Sequence, residues 1–148
     1  GSLLITDPLF NDITTLGLGL NGIAVTEDGS ALIVAKFISA SLFRVSLPDG
    51  DTLTKVELSG DAFPSPDGIV FLKGDLYSVS DDTVTRVRPN ADFTAGEVTV
   101  SQQISGLSTA TVAEGDVYVI KSEITKFVLE LPLSLPFEIF RVDLDSFE

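Results

Sequence analysis

An internal repeat constrains this chain more than any other feature. Asn21-Gly-Ile-Ala-Val25, a Glu-Asp-Gly turn and Ala31-Leu-Ile-Val34 open a first cycle, which continues through Leu42-Phe-Arg-Val45 and Leu53-Thr-Lys-Val-Glu-Leu58. Asp67-Gly-Ile-Val-Phe-Leu72 restarts it, followed by Lys73-Gly74, Asp75-Leu-Tyr-Ser-Val79, Val84-Thr-Arg-Val87 and Glu97-Val-Thr-Val100. Ser108-Thr-Ala-Thr-Val-Ala113 restarts it again, with Glu114-Gly115, Asp116-Val-Tyr-Val-Ile120 and Phe137-Glu-Ile-Phe-Arg-Val142. Asn21 and Asp67 are 46 residues apart, and Asp67 and Thr109 are 42 apart. A four-strand unit repeating every 40–45 residues or so has the size of a propeller blade.

Within each cycle the pattern is that of short strands. Ala31–Ala35 and Val117–Ile120 are apolar, β-branched runs; Leu42–Leu47 and Thr83–Arg88 alternate apolar and polar with period two. Asp-Gly, Pro-Asp-Gly, Ser-Asp-Asp and Pro-Asn bound them as turns. No window of helical length carries a 3.6-residue stripe with caps. The expectation is an all-β β-propeller unit with three four-stranded blades, about 21–60, 67–104 and 108–144, in one domain over 1–148. The third cycle has only three strands. A leftover strand at Leu3-Leu-Ile-Thr6 would close a blade, so that one, four, four and three strands make twelve.

Composition removes whole classes of chemistry. The 148 residues contain no His, Cys, Met or Trp. A Ser-His-Asp triad, a Cys-His dyad, a thiolate or imidazole metal site and a disulfide framework are all excluded. Lys+Arg number 9 against Asp+Glu 22, a net charge of −13, with a pI near 4.1. Such a chain lacks the clustered cations that hold nucleic acid, and it is repelled by anionic membrane surfaces. The longest apolar stretch, Phe127 to Phe140, is interrupted by Glu130, Pro132, Ser134, Pro136 and Glu138, so no run reads as a membrane span. Gly1-Ser2 without an initiator Met reads as an expression remnant, and no targeting pattern or N-x-[ST] acceptor gives a compartment.

The motifs resemble the senescence-marker/regucalcin/gluconolactonase family of six-bladed propellers, in particular its gluconolactonase-like branch. Asn21-Gly-Ile-Ala-Val with Glu-Asp-Gly and Leu-Ile-Val-Ala is similar to that family's blade opening, and Leu42-Phe-Arg-Val-Ser-Leu to its third strand. Pro66-Asp-Gly-Ile-Val-Phe-Leu with Asp-Leu-Tyr-Ser-Val, and Ser108-Thr-Ala-Thr-Val-Ala with Gly-Asp-Val-Tyr-Val-Ile, resemble later blades. The likeness runs from about Leu3 to Leu144 and corresponds to the C-terminal half of such a propeller. It implies a divalent metal on the propeller axis, Ca²⁺ for preference, with Asn21 and Asp67 at two ligand positions. It also implies that Asp67 activates water for hydrolysis of a small lactone or ester. The family's ligand Glu and a further Asn fall in the half that has no counterpart here. The alternative is that Asn21-Gly and Asp67-Gly are turn residues that start strands. Thr109 and Thr111 are candidates for the same axial pocket, with β-propensity as the stronger explanation of both.

Three blades of a six-fold ring leave two faces open. At roughly 400 Å² of apolar surface each, the two faces cost on the order of 20 kcal/mol, more than the roughly 5–15 kcal/mol that stabilises an ordinary domain. A homodimer would close the ring, with Leu3–Thr6 completing a blade of the partner chain. The rival readings are an excised or engineered half-propeller and a non-enzymatic binding or assembly module.

Other motifs are weaker. Gly17-Leu-Gly-Leu-Asn-Gly22 fits G-x-G-x-x-G, but a strand and a turn follow where a dinucleotide site needs a helix. Asp49/Asp51 and Asp81/Asp82 could suggest paired-carboxylate glycosidase chemistry, but they sit in expected hairpin turns, where Asp is favoured. The long apolar segment Glu123 to Phe137 reads as extended because of Pro132 and Pro136. It is a lid on the axial pocket, a partner contact, or a plug within its own chain.

Overall fold

A computed structural model describes residues 1–11 and 19–147, the side chains of 101 and 102 excepted. The G-x-G-x-x-G stretch therefore begins outside the described residues. The first sheet consists of β1 (Leu20–Val25), β2 (Ala31–Lys36), β3 (Ser41–Ser46) and β4 (Leu53–Lys55), antiparallel and in sequence order. The second contains β5 (Glu57–Gly60), β6 (Ile69–Leu72), β7 (Asp75–Val79), β8 (Thr83–Pro89) and β9 (Ala95–Gln103), in the order β5-β9-β8-β7-β6. The third holds β10 (Leu107–Ala113), β11 (Asp116–Lys121) and β12 (Glu138–Arg141). The fold is all-β, with twelve strands among the described residues.

The total of twelve agrees with the sequence expectation, but the distribution does not. Leu53–Leu58 is not one strand. Val56 N–H donates to the Leu42 carbonyl of the first sheet at 2.9 Å, and the next amide, Glu57, donates to Thr94 of the second, also at 2.9 Å. Val56 is buried in the core between the two sheets, so the chain changes sheets at a single residue. β5 then runs parallel to β9 and covers what would otherwise be the outer edge of the second sheet. The expected boundary at residue 60 moves to Val56.

Leu3–Thr6 forms no strand and pairs with none among the described residues. The N-terminal segment lies instead across the outward face of the first sheet. Lys36 Nζ donates to the carbonyls of Leu9 and Asn11, each at 2.9 Å, and Phe10 meets Phe43 edge-on at 6.0 Å. Apolar cover is why Val34, Phe43 and Val45 on that face are buried.

The second sheet is packed on both faces. Period-two alternation sends Ile69, Leu76 and Val87 toward Ile33, Ala35 and Leu42 of the first sheet. It sends Leu72, Tyr77, Val79 and Val84 toward Leu107, Val117 and Val119 of the third. The C-terminal 3₁₀ turn Leu144–Phe147 seals the second core. Phe147 packs edge-on against Tyr77 at 5.6 Å, and its carbonyl accepts from Arg86 Nη2 at 2.5 Å. The edge strands β1, β6 and β10 of the three sheets lie side by side, which brings the openings of the three cycles together.

The segment after β11 also departs from expectation. Ile124–Val128 forms a short helix, α1, because both prolines lie downstream of it and leave its amides free to bond. None of the described helices is long and apolar enough to cross a membrane.

Candidate functional site

Asn21 lies near the start of β1, and Asp67 lies two residues ahead of β6. Together with Ser108 and Thr109 of β10 they line one open cleft of about 390 Å³. Backbone irregularities put them there. The β1/β2 register slips between Leu20 and Ile23, and the β10/β11 register slips between Leu107 and Thr109. Such bulges turn a side chain out of the ladder.

Two glycines set the width of the cleft. A Cβ on Gly22 would lie 2.5 Å from the Asp67 carbonyl oxygen, and one on Gly68 would lie 2.8 Å from Thr109 Cα. The inner strands therefore approach backbone to backbone, which only glycine allows.

Among the described residues, Asp67 is the only ionisable one lining this cleft. It is half-buried, and loss of water raises its pKa above the ordinary carboxylate value. The Asn21 side chain donates a hydrogen bond that partly offsets this, while the negative charge of Asp81 adds to the rise. Ser122 Oγ donates to Ser108 Oγ at 2.7 Å, which ties the third strand's contribution to the segment beyond β11.

Of the residues singled out in the sequence, Asn21, Asp67 and Thr109 come together. Thr111 does not line the cleft; it pairs with Tyr118 and is exposed on the outward face of the third sheet. Ser108, Gly22 and Gly68 were not singled out. A count from the hairpin glycines would have found Ser108, because Asp67 precedes Gly74 by seven residues and Ser108 precedes Gly115 by the same seven. Ser108, not Thr109, is thus the third cycle's counterpart of Asp67.

The turn carboxylates behave as turn residues. Asp28 accepts from Ser30 N–H at 3.0 Å and from Thr26 Oγ1 at 2.7 Å, which lowers its pKa to about 2. Asp92 is lowered in the same way by Thr94. Both border a larger crevice of about 560 Å³ at the opposite ends of β1 and β6, where their lone pairs are already engaged. The carbonyls of Asp81 and Asp82 bond the backbone around residues 104–107.

No three His, Cys, Asp or Glu side chains come together as metal ligands among the described residues. The cleft offers one carboxylate, one amide and two hydroxyls, short of the six to eight oxygens that Ca²⁺ takes.

No protein-family model matches the chain, and no curated protein matches it. Solved structures do. The chain is similar to a protein of unknown function from Bacteroides caccae, at 19% identity and TM-score 0.57 over 95% of this chain and 47% of that one. It is similar to a Trichoderma reesei protein of Carbohydrate-Active Enzymes Family AA12, at 12% identity and TM-score 0.57 over 97% and 38%. It is also similar to the PQQ-bound aldose sugar dehydrogenase of Streptomyces coelicolor, at 16% identity and TM-score 0.52 over 70% and 37%. The chain spans less than half the length of each of these, and at such identities the likeness is one of fold.

Proposed function

We propose that the three sheets are blades of a gluconolactonase-like β-propeller and that the Asn21/Asp67/Ser108 cleft is its axial small-molecule site. One observation carries this reading: the opening residues of all three cycles converge on a single cleft, as blades around an axis require. The sugar dehydrogenase among the similar structures is itself a β-propeller, which supports the assignment.

The substrate class is a small lactone or ester. Asp67, raised in pKa and aligned by Asn21, is suited to act as general base. It would take a proton from water as the water oxygen bonds to the carbonyl carbon. Cleavage of the ring C–O bond would then return that proton to the departing alkoxide. Ser108 and Thr109 supply hydroxyls to orient the substrate. A Ca²⁺ on Asn21 and Asp67 would need the matching pair from a second copy, since the cleft of one chain has too few donors.

A second reading, a non-enzymatic binding or assembly module, is favoured by the presence of a single carboxylate in the cleft. A panel of sugar lactones assayed with Ca²⁺ and with EDTA separates the two. Turnover that vanishes in Asp67→Asn supports the enzyme. Saturable binding without turnover, detected as amide shift changes at Asn21 and Thr109, leaves the module.

A further inference from the structure

The segment between β11 and β12 is built inside out. Glu123 is 2% exposed, and its carboxylate accepts from Lys126 Nζ at 2.7 Å and from the Ser134 amide at 2.6 Å, while Lys126 also donates to Ser134 Oγ at 3.1 Å. Polar groups thus hold the interior of the excursion. Its outside is apolar: Phe127 is 66% exposed and Leu135 is 71%. Nine large apolar side chains from Ile124 to Ile139 are each more than a third exposed. At roughly 150 Å² for a whole side chain, they present on the order of 800 Å². A soluble monomer usually carries no apolar patch above about 300–600 Å², whereas one side of a stable protein interface needs about 800 Å². This exposure weighs against the plug reading, because each of these side chains keeps more than a third of its surface in water.

A receptor for it exists on the same molecule. At the far end of the row of sheets, Leu4, Ile5, Leu20, Ile23, Leu32 and Val45 line an apolar groove of about 320 Å³ between the N-terminal segment and β1. Among the described residues, none that lines this groove is ionisable. That matters for a chain of charge −13, because two copies repel one another and an uncharged contact surface adds least to that repulsion. In the excursion Lys126 is paired with Glu123, and Glu138 with Lys121, which leaves Glu130 as an exposed charge among the apolar side chains. The register also places the two surfaces at a common level. Leu107 pairs with Lys121, so the excursion leaves the third sheet at the end where β10 begins, and the groove reaches Leu20 and Asn21 where β1 begins.

We infer that the 123–137 excursion is a docking element for a second copy of this chain, its apolar rim seated in the partner's groove between the N-terminal segment and β1. By two-fold symmetry the contact occurs twice. It places each excursion beside the opening of the axial cleft, so self-association and the site are joined. This rests on the propeller reading, which a second copy would close.

The test is sedimentation velocity on this 148-residue chain across the micromolar range. It compares wild type with the double variant Phe127→Asp/Leu135→Asp and with Ile23→Asp, and circular dichroism checks that each is folded. All three positions are solvent-exposed, so the substitutions leave the cores intact. The expected result is a dimeric wild type, with both variants associating roughly a hundredfold more weakly and retaining the wild-type spectrum. A double variant that stays dimeric overturns the docking role of the excursion while leaving a closed ring standing. A wild type that is monomeric throughout overturns both.

Discussion

Gly68→Ala tests whether the cleft is held by backbone contact between inner strands. Gly68 does not have a left-handed backbone, so alanine is acceptable there on conformational grounds alone. The obstacle is space: the new Cβ would sit 2.8 Å from Thr109 Cα and 3.0 Å from the Ala110 nitrogen, where ordinary contact begins near 3.4 Å. Thr109 Oγ1, at 2.9 Å, can rotate away, but the other two neighbours are backbone and cannot swing aside, so β6 and β10 must separate by about 0.6 Å. Overpacking of this kind costs about 1–3 kcal/mol. For a chain of this size that lowers the melting temperature by roughly 3–10 °C. Gly115→Ala is the control, since its φ is +85° and nothing lies within 4 Å of the added atom. There the cost is backbone strain of about 1–2 kcal/mol, and the cleft is untouched. Thermal melts should be read beside amide shifts at Asp67 and Thr109, which Gly68→Ala alone should move. A Gly68→Ala protein that melts within about 1 °C of wild type with those shifts unchanged would refute the close approach.

Phe147→Ala removes a side chain that is 2% exposed and stacked edge-on with Tyr77, and should cost about 3–5 kcal/mol by urea unfolding. A loss below about 1 kcal/mol would mean that the terminal turn does not seal the second core. Because Asp67 has a raised pKa when folded, the folded chain holds its proton longer than the unfolded chain does. Stability must therefore fall as pH rises from the ordinary 3.8 through that raised value. Asp67→Asn should remove this downward step and be at least as stable as wild type at pH 7, as seen in melting temperature against pH. Glu123 is the opposite case. Its pKa is lowered by the Lys126 hydrogen bond and the Ser134 amide, so its contribution is present above the ordinary 4.5 and is lost as pH falls through the lowered value. Glu123→Gln should speed proteolysis within 124–137 at pH 7, and an unchanged cleavage rate would show that the carboxylate does not hold the segment.

The repeat was legible because each cycle carries its own turns and its own period-two runs, and those are local signals. What was missed depends on neighbours. In Leu53-Thr-Lys-Val-Glu-Leu58 the two polar residues Thr54 and Lys55 break the alternation, so that Leu53 and Val56 fall on opposite faces, but only the second sheet's unpaired edge makes that break an exchange of partners. Thr83-Val-Thr-Arg-Val-Arg88 reads as a strand with one wet face, yet Thr85 and Arg86 are buried because sheets cover both sides. Arg86 is held there by Phe147, sixty-one residues away, and by Asp75. At the site, the polar residues of the first two cycles were legible at the motif openings. The third was displaced by one residue, because a bulge shifts the count at Ser108.

That displacement explains the residue that follows each site position. In the first two cycles it is Gly22 and Gly68, and in each case the missing Cβ makes room for the backbone of the next inner strand. In the third cycle the corresponding residue is Thr109, whose strand partner is Ile120, and both are exposed on the outward face of the third sheet. Among the described residues no further inner strand follows β10, so a Cβ is tolerated there, and the Thr109 Oγ1 lies on the β6 side, 2.9 Å from where a Gly68 Cβ would be. If a second copy continues the ring at this seam, its β1 cannot come as close to β10 as β6 comes to β1, because the threonine Cβ occupies the space that glycine leaves empty elsewhere. The axis is then tight within a chain and looser between chains. Adhesion at the seam would then come from surfaces away from the axis, such as the apolar rim of the excursion and the groove beside β1.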